Sequence, residues 1–394
     1  MRTSKSLGPC PTTTFTRPRR TAESGIMADR FRIDSHKLAY HPGRVQAILD
    51  AGDDWDRYRQ LEPIYAEIST AGSCNHRCTF CSVDYLGYKR VFLRREVLQR
   101  FFESASTLGL KAVMFAGDGE PMLNPDIVDI IGDAAANGIE TSFTTNAVPM
   151  REKFIKGALH HVSWIKVSMN AGDAETYAAI HQTAEKDFER VWKNLELAVK
   201  HREMNDLSVA LGAQSLILPD NLESLDGLVA RARDTGLDYV VLKPYVHNVY
   251  MIQKGYSHLD YTAKRYMETV LTLQAEYDAE GFQVVARTNA LSKLISDEES
   301  YSTCLSTPAL WFYVSGTGDV YACGAHVGNP NFLLGNIYED PIADIWQSEN
   351  RQSCWNFVKE ELDLSICRNN CRMDEANRYL DQLVDTPVLH KNFI

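Results

Sequence analysis

Six short apolar runs alternate with longer segments in which apolar residues recur about every 3.6 residues. The runs occupy residues 64–70, 111–117, 139–146, 161–170, 208–218 and 238–245. Near-continuous apolar runs that end at turns are typical of parallel strands buried on both faces. We therefore predict a chain of the α/β class with a partial (β/α)6 barrel of TIM type. Any site should lie at the carboxyl ends of the strands.

Charge and hydropathy limit the possible partners. The chain has 394 residues, with 41 Lys+Arg and 52 Asp+Glu, and a net charge of −11 at pH 7. A protein that follows a nucleic-acid backbone needs a phosphate-neutralising surface, so we expect no nucleic-acid partner. No stretch approaches the roughly 18 consecutive apolar residues of a membrane span, so we expect no membrane partner either.

The length predicts two or three domains, at about 150 residues per domain. Residues 1–55 are predicted to be an N-terminal extension. Its first 27 residues lack the apolar core of a secretory signal, and we expect them to be a disordered leader or the product of a start codon placed too early. Residues 56–285 should form the barrel. Residues 286–372 should form a smaller domain with a hairpin at 311–324, and residues 373–394 a helix with an extended end.

The nine cysteines are clustered, which indicates metal binding. Cys10 stands alone in the leader. The others form two groups, a triad of Cys74, Cys78 and Cys81 and a set of Cys304, Cys323, Cys354, Cys367 and Cys371. An odd count in a chain without a signal peptide is poor evidence for a disulfide framework. Clustered thiols in a reducing compartment are more typical of metal ligands.

The triad has the spacing C-x3-C-x2-C and follows the first predicted strand. Three thiolates within eight residues can wrap one face of an iron–sulfur cluster, which normally takes four cysteines. A triad therefore implies one open coordination position. Zinc is the competing interpretation, although His76 is poorly placed within the triad to serve as its fourth ligand. Three unpaired core cysteines are a further alternative.

This segment resembles the signature of the radical S-adenosylmethionine (SAM) superfamily, C-x3-C-x-aromatic-C, with Phe80 as the aromatic residue. The resemblance implies that the open iron chelates the amino and carboxylate groups of SAM. The reduced cluster then cleaves SAM, and the resulting 5′-deoxyadenosyl radical abstracts a hydrogen atom from the substrate. FAGDGEP (115–121) resembles the GGEP motif of the family, which implies that Gly119 and Glu120 contact the methionine amino group. Asp118 departs from that motif, where glycine is expected.

Two further strand ends extend the resemblance. TTN (144–146) resembles the polar end of the next strand and nominates Asn146. VSMNAGDAETY (167–177) resembles the strand that supplies ribose and carboxylate contacts, which nominates Ser168 and Asn170. Lys243 also lies at a strand end, where it either holds an anionic group of cofactor or substrate or caps the barrel mouth.

The spacing of Cys304, Gly318 and Cys323, C-x13-G-x4-C, resembles the opening of SPASM and Twitch auxiliary-cluster domains. The chain has too few thiols for two auxiliary clusters, so the resemblance implies a shortened, Twitch-like domain with one 4Fe–4S cluster, and two such clusters in the whole chain. The four expected ligands are Cys304, Cys323, Cys367 and Cys371. Zinc is the competing metal. Cys354 replaces one ligand, donates a hydrogen atom to the substrate radical, or is a small core residue.

The resemblance implies a function in natural-product, such as antibiotic, or glycan biosynthesis. We expect an oxidoreductase that dehydrogenates a carbohydrate-like small molecule (a sugar, an aminocyclitol or a nucleoside) and passes an electron to the auxiliary cluster. A redox-neutral decarboxylation, dehydration or epimerisation is an alternative. A peptide maturase is another, but residues 28–60 are too few for a winged-helix leader-binding module. The last alternative is a non-catalytic iron–sulfur electron carrier.

The remaining expectations concern partners and the pocket. Oxygen-labile clusters imply a cytoplasmic setting and a low-potential reductant such as flavodoxin or ferredoxin. Four residues near the barrel mouth either line a substrate pocket or are ordinary packing residues, namely Tyr85, Tyr245, His247 and Tyr250.

Overall fold

The computed structural model describes residues 29–296 and 301–384. The predicted leader, Cys10 and the predicted extended end after residue 384 lie outside the described residues. Ten strands form one sheet in the order β10-β9-β8-β1-β2-β3-β4-β5-β6-β7. Their bounds are β1 Tyr65–Ile68, β2 Ala112–Phe115, β3 Glu140–Thr145, β4 Val162–Ser168, β5 Ala210–Ile217, β6 Tyr239–Pro244, β7 Gln283–Ala286, β8 Trp311–Val314, β9 Asp319–Tyr321 and β10 Leu333–Asn336.

The α/β class and the partial barrel are confirmed. Strands β1 to β6 coincide with the six predicted runs, and each pairs in parallel with the next. The structure adds a seventh parallel strand, β7, which pairs with β6. We did not predict β7 because its four buried residues are too short a run to show a period. Strands β7 and β10 end the described sheet, so the barrel is open.

Most of the helices pack on one face of the sheet through the main apolar cluster. Their bounds are α1 Pro42–Ala51, α2 Trp55–Tyr58, α3 Arg95–Thr107, α4 Ile127–Ala136, α5 Glu152–Ala158, α6 Ala174–His181, α7 Lys186–Met204, α8 Leu225–Thr235, α9 Lys264–Tyr277, α10 Thr288–Ser296, α11 Ile342–Trp346, α12 Glu349–Glu360 and α13 Asp374–Val384. Helix α3 buries Val97, Leu98, Phe101 and Phe102 in the same cluster as Ile68 and Phe115. Each such side chain contributes roughly 1.5–3 kcal/mol through burial.

The predicted hairpin is present and extends the barrel sheet. Strand β8 pairs in parallel with β1 along the register Tyr65↔Trp311 to Ile68↔Val314. Strand β9 returns antiparallel to β8 after a turn in which Gly318 has a φ of +89°. Glycine takes this left-handed conformation without steric cost. The hairpin therefore attaches the cysteines on either side of it, Cys304 and Cys323, to the first barrel strand.

The amino ends of the last strands are closed by the segment before α1. Phe31 and Ile33 pack against Tyr239, Val241 and Val285 in a separate apolar cluster. We call the sheet face opposite the helices the lumen face, and this cluster forms its floor. Within the described ranges, no helix is long and apolar enough to cross a membrane.

Candidate active site

The cysteine triad lies on the loop between β1 and α3, where all three side chains are partly buried. The backbone N–H of His76 donates to Cys74 Sγ at 3.4 Å. Cys78 Sγ lies 3.3 Å from His181 Nδ1. Burial and, to a smaller extent, the charge of Glu120 raise the pKa of Cys74 to about 12. A cationic cluster would relieve this cost by stabilising the thiolates, so the donor set fits the iron–sulfur cluster that the motif predicts.

Two histidines pack against the triad loop. His181, at the end of α6, lies with Nε2 3.0 Å from the carbonyl oxygen of Met169, and its ring is perpendicular to that of Phe80 at 5.6 Å. His76 is 1% exposed and lies with Nε2 3.7 Å from Asp187, which is too long for a hydrogen bond. The donor atoms of His76, Cys78 and His181 lie within 4.8 Å of one another. Sequence reasoning missed His181, because nothing in its local sequence distinguishes it.

The FAGDGEP loop after β2 passes very close to the triad loop. A Cβ on Gly119 would lie 2.1 Å from the Ser73 carbonyl oxygen and 2.6 Å from that of Ala71. The backbone N–H of Glu120 donates to the same Ser73 oxygen at 2.9 Å. Gly119 is therefore required by the close approach of two backbones. This contact places the loop beside Ser73, the residue before the first cysteine.

Glu120 is buried and already has three protein donors. Its carboxylate accepts hydrogen bonds from the Thr145 hydroxyl at 2.6 Å, the Asn146 N–H at 2.8 Å and the Met122 N–H at 3.1 Å. Burial raises its pKa to about 7, against the lowering effect of these donors. The Asn146 side chain donates to Asn75 at 2.8 Å, inside the triad loop. The structure therefore joins the ends of β2 and β3 to the triad.

The two residues nominated at the end of β4 have different surroundings. Asn170 has a φ of +53°, and its side-chain oxygen accepts from the Leu216 N–H at 2.8 Å. Its amide nitrogen lies 3.3 Å from His181 Nε2. Ser168 is partly buried on the lumen face and makes no side-chain hydrogen bond within the described residues. Ser168 is thus free to bind a ligand, whereas Asn170 mainly holds the loop.

Asp118, which departs from the family motif, connects the triad region to the hairpin. Its carboxylate accepts hydrogen bonds from the Tyr313 hydroxyl and from the Gly316 N–H, the latter at 2.8 Å. Its own N–H donates to Ser69 at 3.0 Å. Asp118 is 8% exposed, and burial raises its pKa. The aspartate therefore fastens this loop to the strand and turn that precede Cys323.

The four predicted auxiliary ligands come together. Burial raises the pKa of Cys323, and the charges of Cys371, Cys304 and Cys367 raise it further. Burial also raises the pKa of Cys367 and of Cys371, each to about 12. Four partly buried thiols that repel one another as anions form a donor set that suits an iron–sulfur cluster or zinc.

Cys354 lies outside this group. It is 1% exposed on α12, within the main apolar core. Burial raises its pKa to about 12, and within the described residues Cys304 is the one cysteine whose charge adds to this effect. This placement favours a core residue over a hydrogen-atom donor, because a donor must reach the substrate.

The loop after β6 bridges the two cysteine groups. Asn248 donates to the carbonyl oxygens of Ser82 at 3.3 Å and Ala325 at 3.4 Å. The carboxylate of Asp84, which we did not single out, accepts from the backbone N–H groups of Ile252 and Gln253 at 2.9 and 2.7 Å. This loop holds the residues that follow Cys81 and Cys323 together.

The four residues considered for a pocket make internal contacts. Tyr85 donates to the Val327 carbonyl oxygen at 3.0 Å. Tyr250 lies 3.1 Å from His326 Nδ1, and Tyr245 lies 2.9 Å from His247 Nδ1. These contacts favour the packing alternative for Tyr85 and Tyr250. Tyr245 lies close enough to Arg368 for that cation to lower its pKa, although burial raises the pKa overall to about 12.

Comparison with protein families gives two matches in the expected order. The radical SAM superfamily matches residues 68–215, and the SPASM iron–sulfur cluster-binding domain matches residues 304–372. A probable GTP 3′,8-cyclase of Thermococcus kodakarensis is 31% identical over 135 residues, 34% of this chain and 43% of the relative. The GTP 3′,8-cyclase of Listeria monocytogenes is 27% identical over 203 residues, 50% of this chain and 59% of the relative. This chain thus spans about half the length of these relatives.

Solved structures share the fold. Streptococcus suis SuiB superposes with a TM-score of 0.62 at 16% identity, over 86% of this chain and 79% of that one. The protein anSMEcpe with bound AdoMet gives a TM-score of 0.57 at 19% identity, over 80% of this chain and 88% of that one. The two family matches, together with the two cysteine groups, place the chain in the radical SAM superfamily with a C-terminal iron–sulfur cluster-binding domain of the SPASM type.

Proposed function

We propose that this enzyme removes a hydrogen atom from a carbohydrate-like small molecule, a sugar, an aminocyclitol or a nucleoside, and oxidises it. The supporting observation is the polar lumen face, which leads to the strand ends that carry the triad. Its side chains include Glu67, Thr144, Lys166, Ser168, Gln214 and Lys243. A substrate rich in hydroxyl groups would find hydrogen-bond partners there.

Two sets of residues would hold the cofactors. Cys74, Cys78 and Cys81 would bind a 4Fe–4S cluster with one iron left for SAM, and the four later thiols would bind a second cluster completely. When bound, the first cluster and SAM supply a radical that removes hydrogen from an unactivated C–H bond. The protein's own contribution is to position the substrate and exclude water.

The proposed SAM contacts fall into two groups, those with a group available to bind SAM and those whose polar atoms already bind the protein. Gly119 offers backbone groups, and Ser168 offers a free hydroxyl. Phe80 provides an apolar face beside the triad. Glu120, Asn146 and Asn170 are engaged with the protein, so we assign them mainly to shaping the cradle.

Oxidation is favoured over a redox-neutral outcome by the complete ligand set of the second site. Four thiols leave no position for substrate on that cluster, which then supplies an electron acceptor. The substrate would lose a hydrogen atom, then a proton to a base and an electron to the cluster. A flavodoxin- or ferredoxin-type protein would supply the electron that starts each turnover. The relatives named GTP 3′,8-cyclases favour the nucleoside among the three substrate types.

The first test is iron and sulfide content after anaerobic reconstitution. Wild type should hold about eight irons, and a Cys74/Cys78/Cys81→Ala variant should keep about four. With SAM and dithionite, wild type should form 5′-deoxyadenosine and the variant should form none. About four irons in wild type and none in the variant would show that the auxiliary cluster does not exist. The proposed electron acceptor would then be absent too.

The second test separates oxidation from redox-neutral chemistry. Wild type would be incubated with SAM, reductant and a panel of aminocyclitols, sugars and nucleotides, and the products analysed by mass spectrometry. Oxidation predicts one molecule of 5′-deoxyadenosine per product that is two mass units lighter, which is the loss of two hydrogens. A product of unchanged mass would contradict oxidation and favour epimerisation or cyclisation.

A further inference from the structure

Strand register places two lysines on the lumen face. In β4, Ile165 and Val167 are fully buried against the helices, so Lys166 between them points to the opposite face. Lys166 pairs with Gly212, and Lys243 pairs with Leu216 on the same strand β5. Gly212 and Leu216 are four residues apart and face the same way. Lys166 and Lys243 therefore share the lumen.

Three arginines join them from other parts of the chain. Arg287 directly follows β7, and its N–H donates to the Leu242 carbonyl oxygen at 2.9 Å. Arg368 and Arg372 each follow an auxiliary cysteine, Cys367 and Cys371. Asn370, between them, donates to the Ala290 carbonyl oxygen at 2.8 Å, which ties this loop to α10. The auxiliary loop thus reaches the end of the barrel lumen.

Two of the five cations are neutralised within the protein. Arg372 forms an ion pair with Glu67 on β1, and Arg287 forms one with Asp34 at 3.2 Å. Lys166, Lys243 and Arg368 have neither an ion pair nor a hydrogen bond within the described part of the chain. All three are partly buried. The lumen therefore holds three basic side chains that have no counter-ion among the described residues, in a protein whose net charge is −11.

The pKa values show that these lysines are costly to charge while no anion lies beside them. Burial, followed by the charges of Arg372 and Arg287, lowers the pKa of Lys166 to about 7, and Glu67 opposes the effect. Burial lowers the pKa of Lys243 well below its ordinary value, and Lys166 and Arg368 lower it further. Clustered cations away from water are unfavourable unless an anion compensates them.

We propose that Lys166, Lys243 and Arg368 bind an oxyanion, a phosphate or a carboxylate group, carried by the substrate. The identification of this ligand as part of the substrate rests on the proposed function. The planar guanidinium of Arg368 suits two-point binding of an oxyanion, and each lysine adds a mobile charge. Because Arg368 adjoins Cys367, a bound anion would also connect the substrate to the auxiliary loop.

The test measures anion binding by the reconstituted holoprotein. Inorganic phosphate and malonate would be titrated calorimetrically at constant ionic strength into wild type and the variants Lys166→Met, Lys243→Met and Arg368→Gln. Each variant should lose about tenfold or more in affinity, since it removes one charged partner of the anion. Lys193→Met is the matched control, because Lys193 is exposed on α7 and its loss should change nothing. Preference for phosphate or malonate identifies the type of oxyanion.

Formation of 5′-deoxyadenosine, measured on the same preparations, separates this inference from the proposed function. Absence of saturable binding in wild type, or equal binding by all three lumen variants and wild type, would overturn the anion site even if SAM is cleaved. Charge-dependent binding without SAM cleavage would keep the site and refute the radical function. Unchanged iron content in the variants shows that they have folded.

Discussion

Tyr313 donates its phenolic hydrogen bond to Asp118, and this contact joins the loop beside the cysteine triad to the hairpin beside the auxiliary cysteines. The Gly316 N–H donates to the second oxygen of the same carboxylate at 2.8 Å. The aspartate that interrupts the family motif is thus a connection between the two halves of the site. A glycine there would leave the Tyr313 hydroxyl buried without this partner.

Loss of this connection should destabilise the protein. Asp118→Ala removes the acceptor of two buried hydrogen bonds and should lower the free energy of unfolding by about 1–3 kcal/mol. Denaturant unfolding of the holoprotein measures the change. Tyr40→Phe serves as the control, because Tyr40 is 68% exposed and should tolerate the loss of its hydroxyl. Equal stability of Asp118→Ala and wild type would contradict the assigned role.

Gly119 should not tolerate even one added methyl group. In Gly119→Ala the new Cβ meets backbone oxygens at 2.1 and 2.6 Å, so the triad loop must move. We expect a loss of about 1–3 kcal/mol in stability together with weaker SAM binding. Gly132→Ala is the control, since its Cβ meets nothing within 4 Å in helix α4 and alanine favours helix by up to about 1 kcal/mol. SAM affinity and the free energy of unfolding would be measured for both variants and compared.

The auxiliary ligand set can be tested by paired substitutions. Cys304→Ala should lower the iron content by about four, because it removes one of four ligands. Cys354→Ala should keep all the iron and lower the free energy of unfolding by only about 1 kcal/mol, as for an ordinary core change. Iron analysis and denaturant unfolding of both variants measure these two effects. Iron loss in Cys354→Ala with full retention in Cys304→Ala would reverse the assignment.

Anion affinity should fall as the pH rises above about 7, where free Lys166 loses its proton. Below this pH, Lys166 is charged in both the free and the bound states, so its contribution to binding is constant. Above it, binding must take up a proton, and affinity should decline by up to about tenfold per pH unit until the pKa of the bound state is reached. Sulfate is the suitable probe, because it remains a dianion from about pH 6 to pH 9 and takes up no proton of its own.

The Lys166→Met variant supplies the comparison for this pH series. Its affinity for sulfate should be lower throughout and should depend less steeply on pH. Proton uptake can be obtained from the dependence of the binding enthalpy on the buffer used. Identical pH profiles for the variant and for wild type would show that another group controls binding.

Local patterns were sufficient for much of the fold. Strands β1 to β6 and the β8–β9 hairpin follow from apolar runs and turn residues that are close together in the chain. The cysteine groups were also visible, because ligand spacing is a property of short segments. The short strand β7 escaped prediction since it is recognisable only through its pairing with β6.

Short-range periodicity and spacing were enough to locate the barrel strands, the triad loop and the later thiols. Long-range packing was needed to show that Asp118 binds Tyr313, that His181 lies beside Cys78 and that Cys354 lies in the core. It also brought Arg368 close to Lys243 on the lumen face, although they are 125 positions apart in the chain. The physical reason is that strand register and loop packing join distant residues, and the charge, burial and hydrogen-bond partners of a side chain exist only after that joining.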